Sequence, residues 1–149
     1  MGARWVVVLD TNILVAAAYH AGSLARKIVQ SCLDGSLDLI LSDAVREEME
    51  HIVQRAVRSP GMRRQLQGLI ARARYVSVGH VPRVLQKDPS DDHLLALAVA
   101  GNADFLITQD RVVLERRVYG RTRIVTVREF WEFFQRHPYP STVVMRYDV

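Results

Sequence analysis

Short apolar runs alternate along this chain with longer segments in which apolar residues recur at helical spacing. The short runs cover residues 6–9, 37–41, 105–108 and 123–127, and their content of β-branched residues is typical of buried strands. A further short strand is predicted at 75–78. Because strands separated by helical segments form βαβ units, the pattern predicts an α/β fold with a parallel sheet and helices on both faces.

The size of the chain, 149 residues, indicates one domain with a substantial core. We predict a domain over 1–137 and a tail over 138–149 that serves as an edge strand or a partner-contact arm. No apolar run approaches the roughly 20 residues that span a bilayer, so membrane association is not expected and a cytoplasmic location is predicted. The single cysteine, Cys32, rules out an internal disulfide and is predicted to pack inside a helix.

Nearly all the basic residues are arginine: the chain has 18 arginines and only two lysines, and its net charge is +4. The planar guanidinium binds phosphate through two parallel hydrogen bonds, so this bias suits contact with nucleic acid. Several of these arginines follow one another along the predicted helical pair after residue 43. The residues predicted to contact a nucleic-acid backbone are Arg55, Arg58, Arg63 and Arg64.

Two aspartates follow predicted strands directly. Asp10 ends the run over residues 5–9, and Asp110 follows the run over 105–109. The carboxyl ends of parallel strands line one edge of the sheet, so both side chains are expected at the same crevice. Carboxylates gathered there repel one another unless a cation lies between them, and oxygen ligands suit Mg²⁺ or Mn²⁺. This pattern predicts a site for a hard metal ion.

Two further acidic residues lie on predicted helices. On the helix that Ser42 or Asp43 caps, Glu48 falls beside the apolar stripe and can face a crevice, whereas Glu47 and Glu50 point toward water. Asp91 and Asp92 begin a later helix, where acidic residues complement the exposed N–H groups. Asp92 shares a face with the small residue Ala96, while Asp91 is better placed to cap or brace the helix.

Five segments in a fixed order resemble the PIN-domain nucleases, and the resemblance covers residues 5 to about 134. The segment over residues 122–130 resembles in particular the branch that contains the toxins of toxin–antitoxin pairs (VapC-like). The segments are Val7-Val8-Leu9-Asp10-Thr11-Asn12; Leu41-Ser42, with Glu48 six residues after the serine; Asp91-Asp92-His93-Leu94-Leu95-Ala96-Leu97-Ala98; Ala103-Asp104-Phe105-Leu106-Ile107-Thr108-Gln109-Asp110; and Thr122-Arg123-Ile124-Val125-Thr126-Val127-Arg128-Glu129-Phe130.

The resemblance implies a Rossmann-like three-layer α/β/α sandwich with a central parallel sheet, and metal-dependent cleavage of single-stranded RNA. It also implies an antitoxin protein as a possible partner and a homodimer. The chain departs from the family pattern at Ser90, where relatives often carry another acid, and at His93, where they often carry proline. The matching acidic quartet is Asp10, Glu48, Asp92 and Asp110, and the supporting polar positions are Asn12, Ser42, Asp91 and Thr108.

The resulting hypothesis is hydrolysis of an RNA phosphodiester by metal-activated water. Asp10 and Asp110 would hold Mg²⁺ or Mn²⁺, Asp92 would complete the ligand shell, and Glu48 would orient or deprotonate the water. The alternative is a non-catalytic PIN-like module that binds RNA or protein. A phosphoacceptor receiver is disfavoured because no lysine follows a strand, and an aspartate-nucleophile phosphatase because Asn12 stands where a second acid is needed.

Overall fold

A computed structural model describes residues 2–84 and 89–140. Six strands form one sheet, and seven helices surround it within these residues. In chain order the elements are β1 (Val6–Leu9), α1 (Thr11–Tyr19), α2 (Leu24–Leu33), β2 (Asp38–Leu41), α3 (Asp43–Ala56), α4 (Pro60–Arg72), β3 (Arg74–Tyr75), α5 (Pro89–Ala100), β4 (Phe105–Ile107), α6 (Arg111–Leu114), β5 (Val118–Tyr119), β6 (Thr122–Val125) and α7 (Val127–Arg136).

The strand order is β3-β2-β1-β4-β6-β5, and every pairing except that of β5 with β6 is parallel. The predicted α/β three-layer fold with a central, mostly parallel sheet is therefore confirmed. The antiparallel edge strand β5 was not predicted from the sequence. A tight turn explains the difference: Arg117 and Gly120 adopt positive φ values of 59° and 62° around β5.

The core lies on both faces of the central strands, which is why their sequences are continuously apolar. All three residues of β4 and residues 7–9 of β1 are buried. Next to them, Trp5, Phe105 and Phe133 pack through ring centroids 5.1 to 5.5 Å apart, which ties α7 to the sheet. Cys32 is buried in α2, as predicted.

Helix boundaries follow local capping chemistry. Ser42 caps α3 by accepting the Val45 N–H, as predicted. Thr126 caps α7 through a reciprocal capping box with Glu129, so this helix begins at Val127. Helix α5 ends at Ala100, and a Cβ on the following Gly101 would lie only 2.4 Å from the Cδ1 of Ile40.

Some predictions fall on the margins of the described residues. The part of the tail over 141–149 lies outside them, so the division at residue 137 and the role of the tail stay predictions. Residues 85–88 of the predicted loop also lie outside them. Within the described ranges, none of the helices has both the length and the apolar character needed to traverse a lipid bilayer.

Candidate active site at the carboxyl edge of the sheet

The two strand-end aspartates lie on either side of the point where the chain reverses its direction across the sheet. From β1 the chain proceeds to β2 and β3 on one side, and it later returns to β4 on the other. Leu9 pairs with Ile107 in the last register position, so Asp10 and Asp110 follow neighbouring strand ends. Such a switch point leaves a crevice outside the carboxyl ends of the strands.

Asp10 is held in place by hydrogen bonds with residues at the end of β4 and in the first turn of α1. Its N–H donates to the Ile107 carbonyl at 3.0 Å, which continues the parallel pairing beyond the end of β1. Its Oδ1 accepts the Asn12 N–H at 3.2 Å and thereby caps α1, while its Oδ2 accepts the Thr108 hydroxyl at 2.7 Å. The residue is 9% exposed, and it lines the cavity at this edge of the sheet.

Asp110, which follows β4, is also held by hydrogen bonds. Its Oδ1 accepts the Val112 N–H at 2.8 Å and caps the short helix α6. Its own N–H donates to the Thr108 hydroxyl oxygen at 3.1 Å. Thr108 therefore joins the two aspartates: it donates to one side chain and accepts from the backbone of the other.

Both aspartates line one cavity of about 510 Å³ at this edge. Among the described residues neither carboxylate forms an ion pair; the two ion pairs found there join Arg74 to Asp38 and Arg121 to Asp104. The remaining lining is partly polar and partly apolar, and consists of Asn12, Ile13, Ala16, Ser23, Leu24, Ala25, Gln109, Val127 and Arg128.

The chemistry of this pair fits a hard divalent cation. Each carboxylate oxygen has two lone pairs, so the hydrogen bonds to Asp10 and the single bond to Asp110 Oδ1 leave acceptor capacity on both side chains. Mg²⁺ is commonly held by one or two carboxylates, with water and substrate phosphate completing its octahedron. Asp10 and Asp110 are therefore the residues that can hold such an ion.

Glu48 occupies the helix face that its sequence position indicates. It is half-buried on α3, whereas Glu47 and Glu50 are exposed and Val45 and Met49 are buried. It makes contacts in the structure, yet it is not part of the lining of the aspartate cavity. Ser42 is buried at the start of the same helix and serves as its cap.

Asp91 and Asp92 are both buried in the first turn of α5. Asp92 Oδ1 accepts the Val84 N–H at 3.0 Å, which ties the preceding loop to the helix, and both residues make additional contacts. Across residues 2–84 and 89–140, no group of three or more acidic, histidine or cysteine side chains has the spacing of a metal site. The structure thus brings Asp10 and Asp110 to one cavity, and it does not gather the whole quartet there.

None of the four predicted RNA-contacting arginines is among the residues that line this cavity. Helix α3 runs outward from Ser42, and a rise of 1.5 Å per residue places Arg55 roughly 20 Å along its axis. Arg55, Arg58 and Arg64 are exposed. Arg63 has a structural contact, because its Nε and Nη2 donate to the Val57 carbonyl at 3.0 and 2.8 Å.

Gln109 and Arg128 also line the cavity, although neither was predicted as a site residue. Gln109 accepts the Val127 N–H through Oε1 at 2.9 Å, which connects the end of β4 to the start of α7. Arg128 follows in the first turn of that helix. Both belong to segments that carry the family resemblance, but only the adjacency of β4 and β6 shows that they share a cavity with Asp10.

The fold and the site define an α/β protein with a carboxylate-lined crevice at the switch point of its sheet. The family model described as PIN domain matches residues 6–112, and the chain belongs to that family. This confirms the predicted family. PIN domains are nuclease-type proteins that generally use divalent metals, which agrees with the oxygen ligands of this crevice.

Solved structures share the fold at low sequence identity. One is VapBC2 from Rickettsia felis bound to a DNA fragment from their promoter, with a TM-score of 0.57, 16% identity, and coverage of 81% of this chain and 98% of that one. Another is PAE2754 from Pyrobaculum aerophilum, with a TM-score of 0.59, 17% identity and coverage of 92% and 94%. No curated protein matches the chain.

Proposed function

We propose that this PIN-domain protein is a metal-dependent endoribonuclease that cleaves single-stranded RNA, and that it acts in the cytoplasm as the VapC-like toxin of a toxin–antitoxin pair. The observation that supports the proposal most directly is the cavity shared by Asp10 and Asp110. Two carboxylates at a sheet switch point, which form no ion pair within the described part of the chain, provide strong attraction for a divalent cation and, through it, for a phosphodiester.

Each residue has a separate role in the proposed hydrolysis, which follows from its position in the fold. Mg²⁺ or Mn²⁺, when bound, supplies activation of water and neutralisation of charge on phosphorus. Asp10 and Asp110 hold the ion, and Thr108 fixes the orientation of Asp10. Asp92 contributes from the start of α5, directly or through water. Glu48, from α3, orients the attacking water or accepts its proton.

The test is cleavage of an end-labelled, unstructured RNA with Mg²⁺ or Mn²⁺ by the wild type and by Asp10→Asn. Asparagine keeps the size of the side chain and removes its charge, so we expect cleavage to fall by about 100-fold or more. The matched control is Asp34→Asn, which makes the same change at an exposed residue. Asp34 caps the C-terminal end of α2 and does not line the cavity. Equal cleavage by wild type and Asp10→Asn would remove the proposed site.

A second candidate is a non-catalytic module that binds RNA or protein. It is favoured by the lack of a three-acid metal cluster in the described part of the chain. The two candidates differ in their response to metal, because an ion that binds only the folded state raises the melting temperature. Under the nuclease proposal, Mn²⁺ stabilises the wild type but not the Asp10→Asn variant; the binding module shows no Mn²⁺-specific stabilisation.

The antitoxin and the homodimer belong to the same proposal. Beside the aspartates, the cavity offers the apolar side chains of Ile13, Ala16 and Leu24, which suit a partner segment carrying both apolar residues and a cation. Arg55, Arg58 and Arg64 would form a basic rim for the RNA backbone. Co-purification with the product of an adjoining small reading frame tests the first partner, and light scattering tests the dimer.

A further inference from the structure

Arg128 lines the same cavity as the two aspartates, but it belongs to helix α7. It occupies the first turn of α7, directly after β6, and β6 pairs with β4. Its side chain is exposed and lines the cavity together with Asp10 and Asp110. The cavity therefore has two carboxylates contributed by β1 and β4 and a guanidinium contributed from the direction of β6.

The described residues provide no structural role for this guanidinium. Within residues 2–84 and 89–140 it has no ion-pair partner and no hydrogen-bond acceptor, unlike Arg63 and Arg74, which both have one. Its position is also electrostatically unfavourable, because a cation in the first helical turn faces the positive end of the helix dipole. Within the described residues, therefore, no hydrogen bond or ion pair holds the Arg128 side chain in place.

The backbone that carries Arg128 is firmly held. The Val127 N–H donates to Gln109 Oε1, and the Glu129 N–H donates to the Thr126 hydroxyl at 3.0 Å. Between them, the Arg128 N–H has no acceptor in the described part of the chain. An anion at this position would meet a free N–H, the positive end of the dipole and a guanidinium fork at once.

The guanidinium of Arg128 and the carboxylates of Asp10 and Asp110 line one cavity but form no ion pair with one another. The cavity can therefore accept a charged ligand between them. We propose that Arg128 binds a backbone phosphate of single-stranded RNA and positions the chain across the Asp10–Asp110 pair. This inference rests on the proposed nuclease function. It assigns the phosphate contact inside the cavity to α7, whereas the arginines of the outer rim lie along α3 and α4. A phosphate contact carries no base preference, so Arg128 contributes to affinity and register.

The test is binding of a fluorescently labelled, unstructured RNA oligonucleotide in EDTA, followed by anisotropy at several salt concentrations. Arg128→Gln is expected to weaken binding roughly tenfold and to lower the slope of log K against log salt by about 0.7, the loss of one phosphate contact. Arg136→Gln is the matched control, since it removes the same charge from an exposed position in the last turn of the same helix. It should bind within about twofold of the wild type.

Two further measurements separate the role of Arg128 from a loss of folding. Arg128→Lys keeps the charge and loses the fork, so it should keep the salt slope and recover only part of the affinity. In cleavage assays with metal, Arg128→Gln should raise KM more than it lowers kcat. Melting temperatures show whether Arg128→Gln is folded. If it is not, the comparison of Arg128→Lys with the wild type tests the inference.

The outcomes that overturn this inference differ from those that overturn the nuclease. If the wild type cleaves RNA while Arg128→Gln and Arg136→Gln bind equally well, Arg128 has no phosphate role and the nuclease proposal stands. Unchanged RNA binding combined with lost antitoxin binding would assign Arg128 to the partner protein and also overturn the inference. A wild type that neither binds nor cleaves RNA would overturn both proposals.

Discussion

The hydroxyl of Thr108 is bonded to the Oδ2 of Asp10 at 2.7 Å, although the two residues are 98 positions apart in the chain. The same oxygen accepts the N–H of Asp110 at 3.1 Å, and the side chain is fully buried. One threonine therefore sets the orientation of one aspartate and the backbone position of the other. A buried group that orients a metal-binding side chain in this way commonly affects metal affinity and activity when it is mutated.

The Thr108→Val variant keeps the shape of the side chain and removes both hydrogen bonds. We expect a loss of about 1–3 kcal/mol in the free energy of unfolding, because the Asp110 N–H is left without its acceptor. RNA cleavage should fall by about 10- to 100-fold. Urea denaturation and a cleavage assay measure the two effects. Thr108→Ser, which keeps the hydroxyl, is the control and should stay close to the wild type in cleavage.

Glu48 and Glu47 are neighbours on α3 with different surroundings, which makes them a matched pair. Glu48→Gln removes the proposed proton acceptor from the half-buried position, so the cleavage rate should fall by about 100-fold or more. Glu47→Gln makes the same change on the exposed face and should leave the rate unchanged. Similar rates for the two variants would exclude Glu48 from the chemistry.

Asp104 is an acid with a structural role, in contrast to Asp10. Its Oδ2 accepts the Val6 N–H at 2.8 Å and its Oδ1 pairs with Arg121. Asp104→Ala should lower the free energy of unfolding by about 1–3 kcal/mol, because the N–H at the start of β1 loses its acceptor.

Arg121→Ala is the comparison for that change, and it should cost less than about 1 kcal/mol because the guanidinium is 43% exposed. Urea denaturation distinguishes the two values. If the arginine variant costs as much as the aspartate variant, the ion pair and not the Val6 hydrogen bond is what stabilises the start of β1.

Cys32 makes stability depend on pH above neutrality. Burial, with smaller contributions from the charges of Asp34 and Asp38, raises the pKa of the thiol from its ordinary value of 9.0 to about 12. Above pH 9 the unfolded thiol loses its proton while the folded one keeps it, so stability falls between pH 9 and 12 by up to about 1.4 kcal/mol per pH unit.

The measurement is urea denaturation between pH 8.5 and 10.5 for the wild type and Cys32→Ala. The alanine variant lacks the titrating group, so its stability should decline less steeply over this range. The gap between the two free energies should narrow as the pH rises. Parallel curves would show that the thiol ionises equally well in the folded protein.

The sequence was sufficient for those features that depend on local patterns. Continuous apolar runs identified β1 and β4, and helical spacing placed Glu48 at the border of the buried face of α3. The position of Asp10 and Asp110 at one edge followed from parallel strands alone. The capping roles of both aspartates were not predicted, because a carboxylate after a strand gives no sign of which N–H it will accept.

Other features were decided by tertiary structure. The order of the strands places β6 beside β4, which brings Gln109 to the start of α7 and Arg128 to the aspartate cavity. Packing also directs Asp92 to the Val84 N–H, and a pair of positive-φ turns makes β5 an antiparallel edge. These contacts join segments far apart in the chain, and their geometry depends on how whole elements pack. Local periodicity therefore fixes which face of an element a side chain occupies, while only packing fixes which distant group it meets.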